Sequence, residues 1–193
     1  MRKGTAFFIF LTVLFSSSIA MALDFSADIV STSKDGKFTG KIFATQDKIR
    51  TEMADVVSIV RMDKKVMWVI MPGQNMYMEQ PIDPAMLASG ASEKVPGEIE
   101  RKLLGSEPID GRPTDKYRIT YESNGARQSI LQWSDTATSF PVKVSAEDGS
   151  WVMEYKNLKV GPPDPTIFEV PEGYSKFAMP NFSDMAKQFG SKE

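Results

Sequence analysis

The sequence predicts a mainly β (α+β) fold: a curled antiparallel sheet forming an incomplete barrel of about ten or eleven strands, with short helices plugging its concave side. Three observations predict it. Turn signals recur roughly every eight to twelve residues. Between them, apolar and polar side chains alternate with the two-residue period of a half-buried strand. Midway the alternation stops at Asp83-Pro84, an N-cap residue followed by proline at the first helical position. A sheet of this many strands rarely stays flat and open, so curling is expected.

The elements follow in order. Residues 24–33 form the first strand, with Phe25, Ala27 and Ile29 alternating. Lys34-Asp35-Gly36-Lys37 is a hairpin turn of the Asp-Gly type. The second strand sets Phe38, Gly40, Ile42 and Ala44 against Lys37, Thr39 and Lys41. After Gln46-Asp47, strand 48–53 sets Ile49, Thr51 and Met53 against Lys48, Arg50 and Glu52. Strands 56–62, 65–71 (apolar on both faces) and 74–80 complete a meander, with turns at Asp63-Lys64 and Pro72-Gly73. One helical turn at 85–88, a small polar loop at 89–94 and a second short helix at 96–104, ending at Gly105, form the insertion. Strand character resumes at 115–122, where Tyr117, Ile119 and Tyr121 alternate with Lys116, Arg118 and Thr120. Asn124-Gly125 is the strongest hairpin signal. Strands follow at 127–134, at 140–146 and, after Asp148-Gly149, at 150–160. The Pro-rich stretch 161–165 ends the sheet, and a final helix is expected near 181–189.

The N-terminus bounds the destination. Arg2 and Lys3 precede an apolar run from Ala6 to Phe15, and Ala20-Met21-Ala22 offers a small-x-small cleavage site. Residues 1–22 therefore read as a signal peptide cut after Ala22, and the apolar run is too short to span a bilayer comfortably. Residues 23–193, 171 in number, suit one domain with no transmembrane segment. With no cysteine there is no lipobox, so the exported product is not a lipoprotein. Loss of Arg2 and Lys3 leaves 21 basic against 25 acidic residues, a net charge of −4. A weakly acidic chain does not suit nucleic acid.

Composition narrows the chemistry. The absence of histidine and cysteine removes the usual zinc sites and every Ser-His-Asp or Cys-His arrangement. Acidic residues are plentiful but scattered over turns and polar strand faces, so no carboxylate pair is placed for catalysis. No enzyme activity and no cofactor or metal are expected. Large apolar residues are the positive signal. The meander holds Met53, Met62, Met67, Met71, Met76 and Met78, and methionine lines adaptable apolar surfaces. A curled sheet enclosing such residues can hold an acyl chain; taken alone, a packed core is their more ordinary explanation. Soft thioethers also suit Cu(I), yet Met76 and Met78 share one face with period two, as core positions do. Arg50, Arg61, Arg118 and Arg127 lie in or beside strands, either on a solvated face or at a cavity mouth where they pair with a phosphate or carboxylate.

On the better-patterned apolar face, the expected cavity residues begin with Phe38, Ile42, Ile49 and Met53. Trp68, Ile70, Met76 and Met78 follow from the rest of the meander, and Met86 and Leu87 from the helical insertion. Tyr117, Ile119, Trp133, Val142, Trp151 and Met153 complete the set.

Three segments carry a resemblance. KVMWVIMPGQNMYMEQPI, LLGSEPIDGRPTDKYRITYE and the closing DPTIFEVPEGYSKF, with Phe168, Pro171, Gly173 and Tyr174, stand in the order seen in the LolA/LolB-like periplasmic lipoprotein-carrier superfamily. The sequence resembles an uncharacterised, outer-membrane lipoprotein-sorting-like branch over most of 24–178. The resemblance implies an incomplete antiparallel half-barrel over 23–193 with an apolar cavity. It also implies a periplasmic lipid or lipoprotein carrier or chaperone serving transport and outer-membrane biogenesis. Implied partners are lipid or acylated protein, with inner- or outer-membrane envelope proteins beside them. The alternative is a non-enzymatic envelope interaction module with a filled barrel core.

Overall fold

The computed structural model describes residues 23–82, 95–123 and 125–177. The signal peptide, the insertion at 83–94 with Met86 and Leu87, and the final helix expected near 181–189 lie outside the described residues. Six strands form a first meander: β1 (Phe25–Ser33), β2 (Gly36–Ala44), β3 (Lys48–Met53), β4 (Val56–Arg61), β5 (Val66–Met71) and β6 (Met76–Pro81). Five form a second: β7 (Glu98–Ile109), β8 (Arg112–Ser123), β9 (Ala126–Asp135), β10 (Pro141–Ala146) and β11 (Trp151–Val160). A two-residue strand, β12 (Ser175–Lys176), lies parallel to β6.

The order across the single sheet is β12-β6-β5-β4-β3-β2-β1-β11-β10-β9-β8-β7. Its logic is that the two meanders meet through β1 and β11, which pair antiparallel. The strands joined by the insertion, β6 and β7, therefore stand towards opposite edges. Turn chemistry sets the registers. Asp110 and Gly111, at φ 50° and 75°, make the β7–β8 hairpin in the conformation that Asp-Gly favours. Gly97, at φ 73°, leads into β7 so close to β8 that a Cβ there would stand 2.2 Å from the Glu122 carbonyl oxygen.

The structure corrects the expected architecture. The sheet has twelve strands, one pair of them parallel, and it runs from β12 to β7 as an open sheet instead of curling into an incomplete barrel. Barrel closure needs the outermost strands to pair, and joining the meanders through β1 and β11 leaves β7 as an edge with no partner strand on its outer side among the described residues. No helices plug a concave side among the described residues, where the only helical elements are the 3₁₀ turns Pro72–Gln74 and Pro165–Phe168. The helix expected at 96–104 is strand. Glu-Ile-Glu-Arg-Lys-Leu-Leu has good helix formers, but antiparallel pairing places Glu98 opposite Tyr121 and Leu103 opposite Tyr117. Propensity yields to tertiary pairing here, and Gly105 sits at a register irregularity of β7 in place of a helix C-cap.

The core is built at the junction of the meanders. Phe25, Ile29, Ile49, Val60, Met153 and Tyr155 are all buried in one cluster. Phe140, from the loop after β9, packs edge-on to Phe25 and Tyr155, with ring centroids 4.6 and 5.1 Å away. Asp135 holds that loop. Its Oδ1 accepts from the backbone N–H of Ala137 and of Thr138, both at 2.9 Å, and its Oδ2 accepts from Arg112 at 3.1 Å.

Candidate functional site

Pairing register divides the first meander into two faces. On the first, Ala27 of β1 stands opposite Ile42 of β2, which stands opposite Thr51 of β3. The same face continues through Ser58, Val69 and Met78. On the second, Phe43 stands opposite Arg50, Arg50 opposite Ile59, and Ile59 opposite Trp68.

The second face is covered. Phe168, in the 3₁₀ turn Pro165–Phe168, is 0% exposed and packs with Val57, Ile59, Trp68 and Ile70. Two arginines clamp the segment over them. Arg50 Nη1 donates to the Ile167 carbonyl at 2.8 Å, and Arg61 Nη1 to the Phe168 carbonyl at 3.2 Å. Buried Arg61 also pairs with Asp63 at 2.5 Å and with Glu169. The hydrogen bond to Asp63 foremost, with Glu169, lifts the guanidinium pKa against the opposing effect of burial. Trp68 Nε1–H donates to Glu79 at 2.9 Å, while Lys176 of β12 pairs with the same carboxylate at 2.7 Å. Lys176 first and Trp68 second hold Glu79 below the usual carboxylate range. The closing Phe-x-x-Pro-x-Gly-Tyr motif is thus a strap. Gly173 at φ 82° turns the chain, and Tyr174 packs on the cluster under Phe168.

The first face changes along its length. Ala44, Ile49 and Val60 are buried at one end. Six residues along β2, roughly 20 Å at ~3.3 Å per residue, Phe38 is 47% exposed. On β4, Val56 is 43% exposed. Met53, which pairs with Val56, and Met71, which pairs with Met76, lie half-buried beside them. Among the described residues this is an apolar floor that opens toward water at one end. Gly40 belongs to it for a steric reason: a Cβ there would meet the Glu52 carbonyl oxygen at 2.4 Å and Met53 Cγ at 2.9 Å.

The residues picked from sequence divide accordingly. Phe38, Ile42, Ile49, Met53, Met76 and Met78 share the first face. Trp151 and Met153 join them from β11, opposite Ser33 and Ser31. Tyr117 and Ile119 continue that face onto β8, and Val142 is buried in the cluster around Phe25. Trp68 and Ile70 instead lie on the second face under the strap. Trp133 is on the second face as well. Its ring is flanked by Lys116 and Lys143 Nζ, 4.7 and 4.8 Å from the centroid, and its Nε1–H donates to Glu107 at 2.5 Å. Val56 and Met71 are floor residues outside the set expected from sequence. The signal was present: Met53 and Val56 flank the Ala54-Asp55 turn, and residues flanking a two-residue turn share a face.

Chemically, the floor offers apolar contact. The shifted carboxylates are explained by bonds that hold strands, turns and strap together, as with Asp63 at Arg61 and Glu107 at Trp133. No group of three or more Asp or Glu residues able to hold a metal ion occurs among the described residues.

No family model matches the sequence, and no curated protein does. Among solved structures, the chain is similar to an uncharacterized conserved protein from Thermus thermophilus. The identity is 10%, covering 88% of this chain and 98% of that one, with a TM-score of 0.58. It is also similar to a chain in the complex structure of Pseudomonas aeruginosa MucA/MucB, at 16% identity over 84% of this chain and 60% of that chain, with a TM-score of 0.56. MucB alone matches at 15% identity over 88% of this chain and 64% of its own, with a TM-score of 0.54. This chain therefore spans less than two thirds of the MucB chain. A LolA superfamily protein from Nitrosomonas europaea matches at 11% identity, over 82% of this chain and 96% of that one, with a TM-score of 0.33. At these identities the likeness is one of fold alone, and a TM-score of 0.33 carries the resemblance no further.

Proposed function

We propose that the protein is an exported, non-enzymatic carrier of acyl chains, working in the periplasm as a single domain over 23–193 after cleavage of residues 1–22. Its cargo is a lipid or a lipid-modified protein. One observation carries this reading: the first face is mostly apolar, Thr51 and Ser58 being polar members, yet it is exposed at one end, where Phe38, Val56, Met53 and Met71 lie together. An ordinary core is apolar and closed; a surface that receives a chain must be apolar and reachable. Burial of ten methylenes contributes on the order of 8 kcal/mol before ordering costs, which is ample for a reversible carrier. No residue here needs to do bond chemistry for that role.

A dansyl-labelled fatty acid tests the reading. The parent binds it saturably, and Met71→Asp, which places a charge on the open end, weakens binding at least about tenfold with an unchanged far-UV spectrum. Equal affinity in a folded Met71→Asp variant overturns the assignment.

A second reading, an envelope interaction module, is favoured by β7. Among the described residues this twelve-residue strand is the outermost of its edge and exposes Ile99, Leu103 and Leu104, the features through which a sheet adds a partner's strand. The solved complex of MucA with MucB supplies a relative in fold whose structure includes a protein partner. A protein that binds no fatty acid but captures an envelope protein through β7 fits this reading instead.

A further inference from the structure

Thioethers line the first face at its open end, at Met53, Met71 and Met76, and one same-face position further in, at Met78. Met53, Met71, Met76 and Met78 are each half-buried, neither sealed in the core nor free of it. The ladder sets Met71 opposite Met76, and Met78 opposite Val69. Met53 lies against the backbone of β2 where Gly40 leaves room for it. Met153, by contrast, is 1% exposed within the central cluster. Oxidation has its largest effect on a thioether that an oxidant can reach and that also forms part of an apolar contact surface, because the sulfoxide is polar where the contact is apolar.

We propose that these four methionines form a redox switch on the carrier face: a peroxide converts them to sulfoxides, and the bound acyl chain is released. The inference rests on the carrier reading. In the step itself, a sulfur lone pair attacks one peroxide oxygen and the O–O bond breaks. An S–O bond forms, the proton on the transferred oxygen passes to the departing hydroxide, and with hydrogen peroxide that second oxygen leaves as water. The sulfur is oxidised by two electrons and the peroxide is reduced by two. A thiol-dependent sulfoxide reductase reverses the change, and the open end is where such an enzyme has access. The site thus takes two kinds of input, an acyl chain and a peroxide, and the second sets the affinity for the first.

The test uses the full exported protein, hydrogen peroxide and the dansyl-labelled fatty acid. Peptide mass spectrometry after a graded peroxide pulse is expected to show the four methionines gaining oxygen before Met153. Removal of the peroxide and titration with the probe then show affinity reduced by about tenfold or more. In a variant with Met53→Leu, Met71→Leu, Met76→Leu and Met78→Leu, affinity for the probe, measured against that variant's own untreated value, is unchanged by the same pulse. Undiminished binding by protein oxidised at all four positions overturns the switch alone, as does equal loss of binding in the oxidised leucine variant. Should the leucine variant fail to fold, recovery of parent affinity on treating the oxidised parent with sulfoxide reductase supports the switch, and no recovery overturns it. Untreated parent that binds no probe overturns the carrier reading and the switch with it.

Discussion

Asp135 ties one corner of the sheet together, and its ionisation links pH to stability. Its side chain is 3% exposed. Burial alone raises its pKa, but the hydrogen bonds from Arg112, Thr138 and Ala137 outweigh that and hold it below the usual carboxylate value. A depressed folded pKa contributes stability above the unfolded value of about 3.9, and that contribution is lost as pH falls through the folded pKa. Urea unfolding of the parent is expected to weaken as pH drops below about 4, and Asp135→Asn to show a flatter dependence over the same window. Parallel pH profiles for the two proteins contradict this role. Nothing in the local sequence announced it. Asp135-Thr136 reads as an ordinary turn, and the partner Arg112 is 23 residues away. By contrast, the alternation of Phe25, Ala27 and Ile29 was legible because a strand's inward positions follow from period two alone.

At the scale of the element, the strap over the second face is the clearest case of a motif acquiring a physical role. Phe168 fills the space over Val57, Ile59, Trp68 and Ile70, and Arg50 and Arg61 hold its flanking carbonyls. Phe168→Ala is expected to cost about 3–5 kcal/mol, read as a shift in the urea midpoint. It should also speed proteolysis within 161–177 before global unfolding. A loss below about 1 kcal/mol would mean the strap is dispensable. The sequence showed strand 65–71 as apolar on both faces, and the strap is the reason: one face meets Phe168, the other belongs to the floor. What the sequence concealed was β7. Its residues favour helix locally, and only the long-range ladder to β8 decides otherwise. Local preference is a weak guide wherever a non-local partner is available.

For the whole molecule, the joining of two meanders through β1 and β11 determines where function can lie. It sends β6 and β7 apart, leaves the sheet open among the described residues, and carries one mostly apolar face from β6 to β8. Most turn positions were legible, since a hairpin announces itself within a few residues; the strand count was not, because β7 reads locally as helix and the two-residue β12 carries no pattern. Pairing of β1 with β11 was not, because no local signal specifies which ends of two meanders meet. The same ignorance mixed the two faces in the predicted site, placing Trp68 and Ile70 beside Phe38 and Met53. The measurement closest to the central claim is native mass spectrometry of the protein purified from its producing cells without detergent. A carrier emerges with lipid-sized adducts that an excess of fatty acid displaces, and Met71→Asp emerges without them. A parent protein found only at its bare mass, and unmoved by added fatty acid, contradicts the claim.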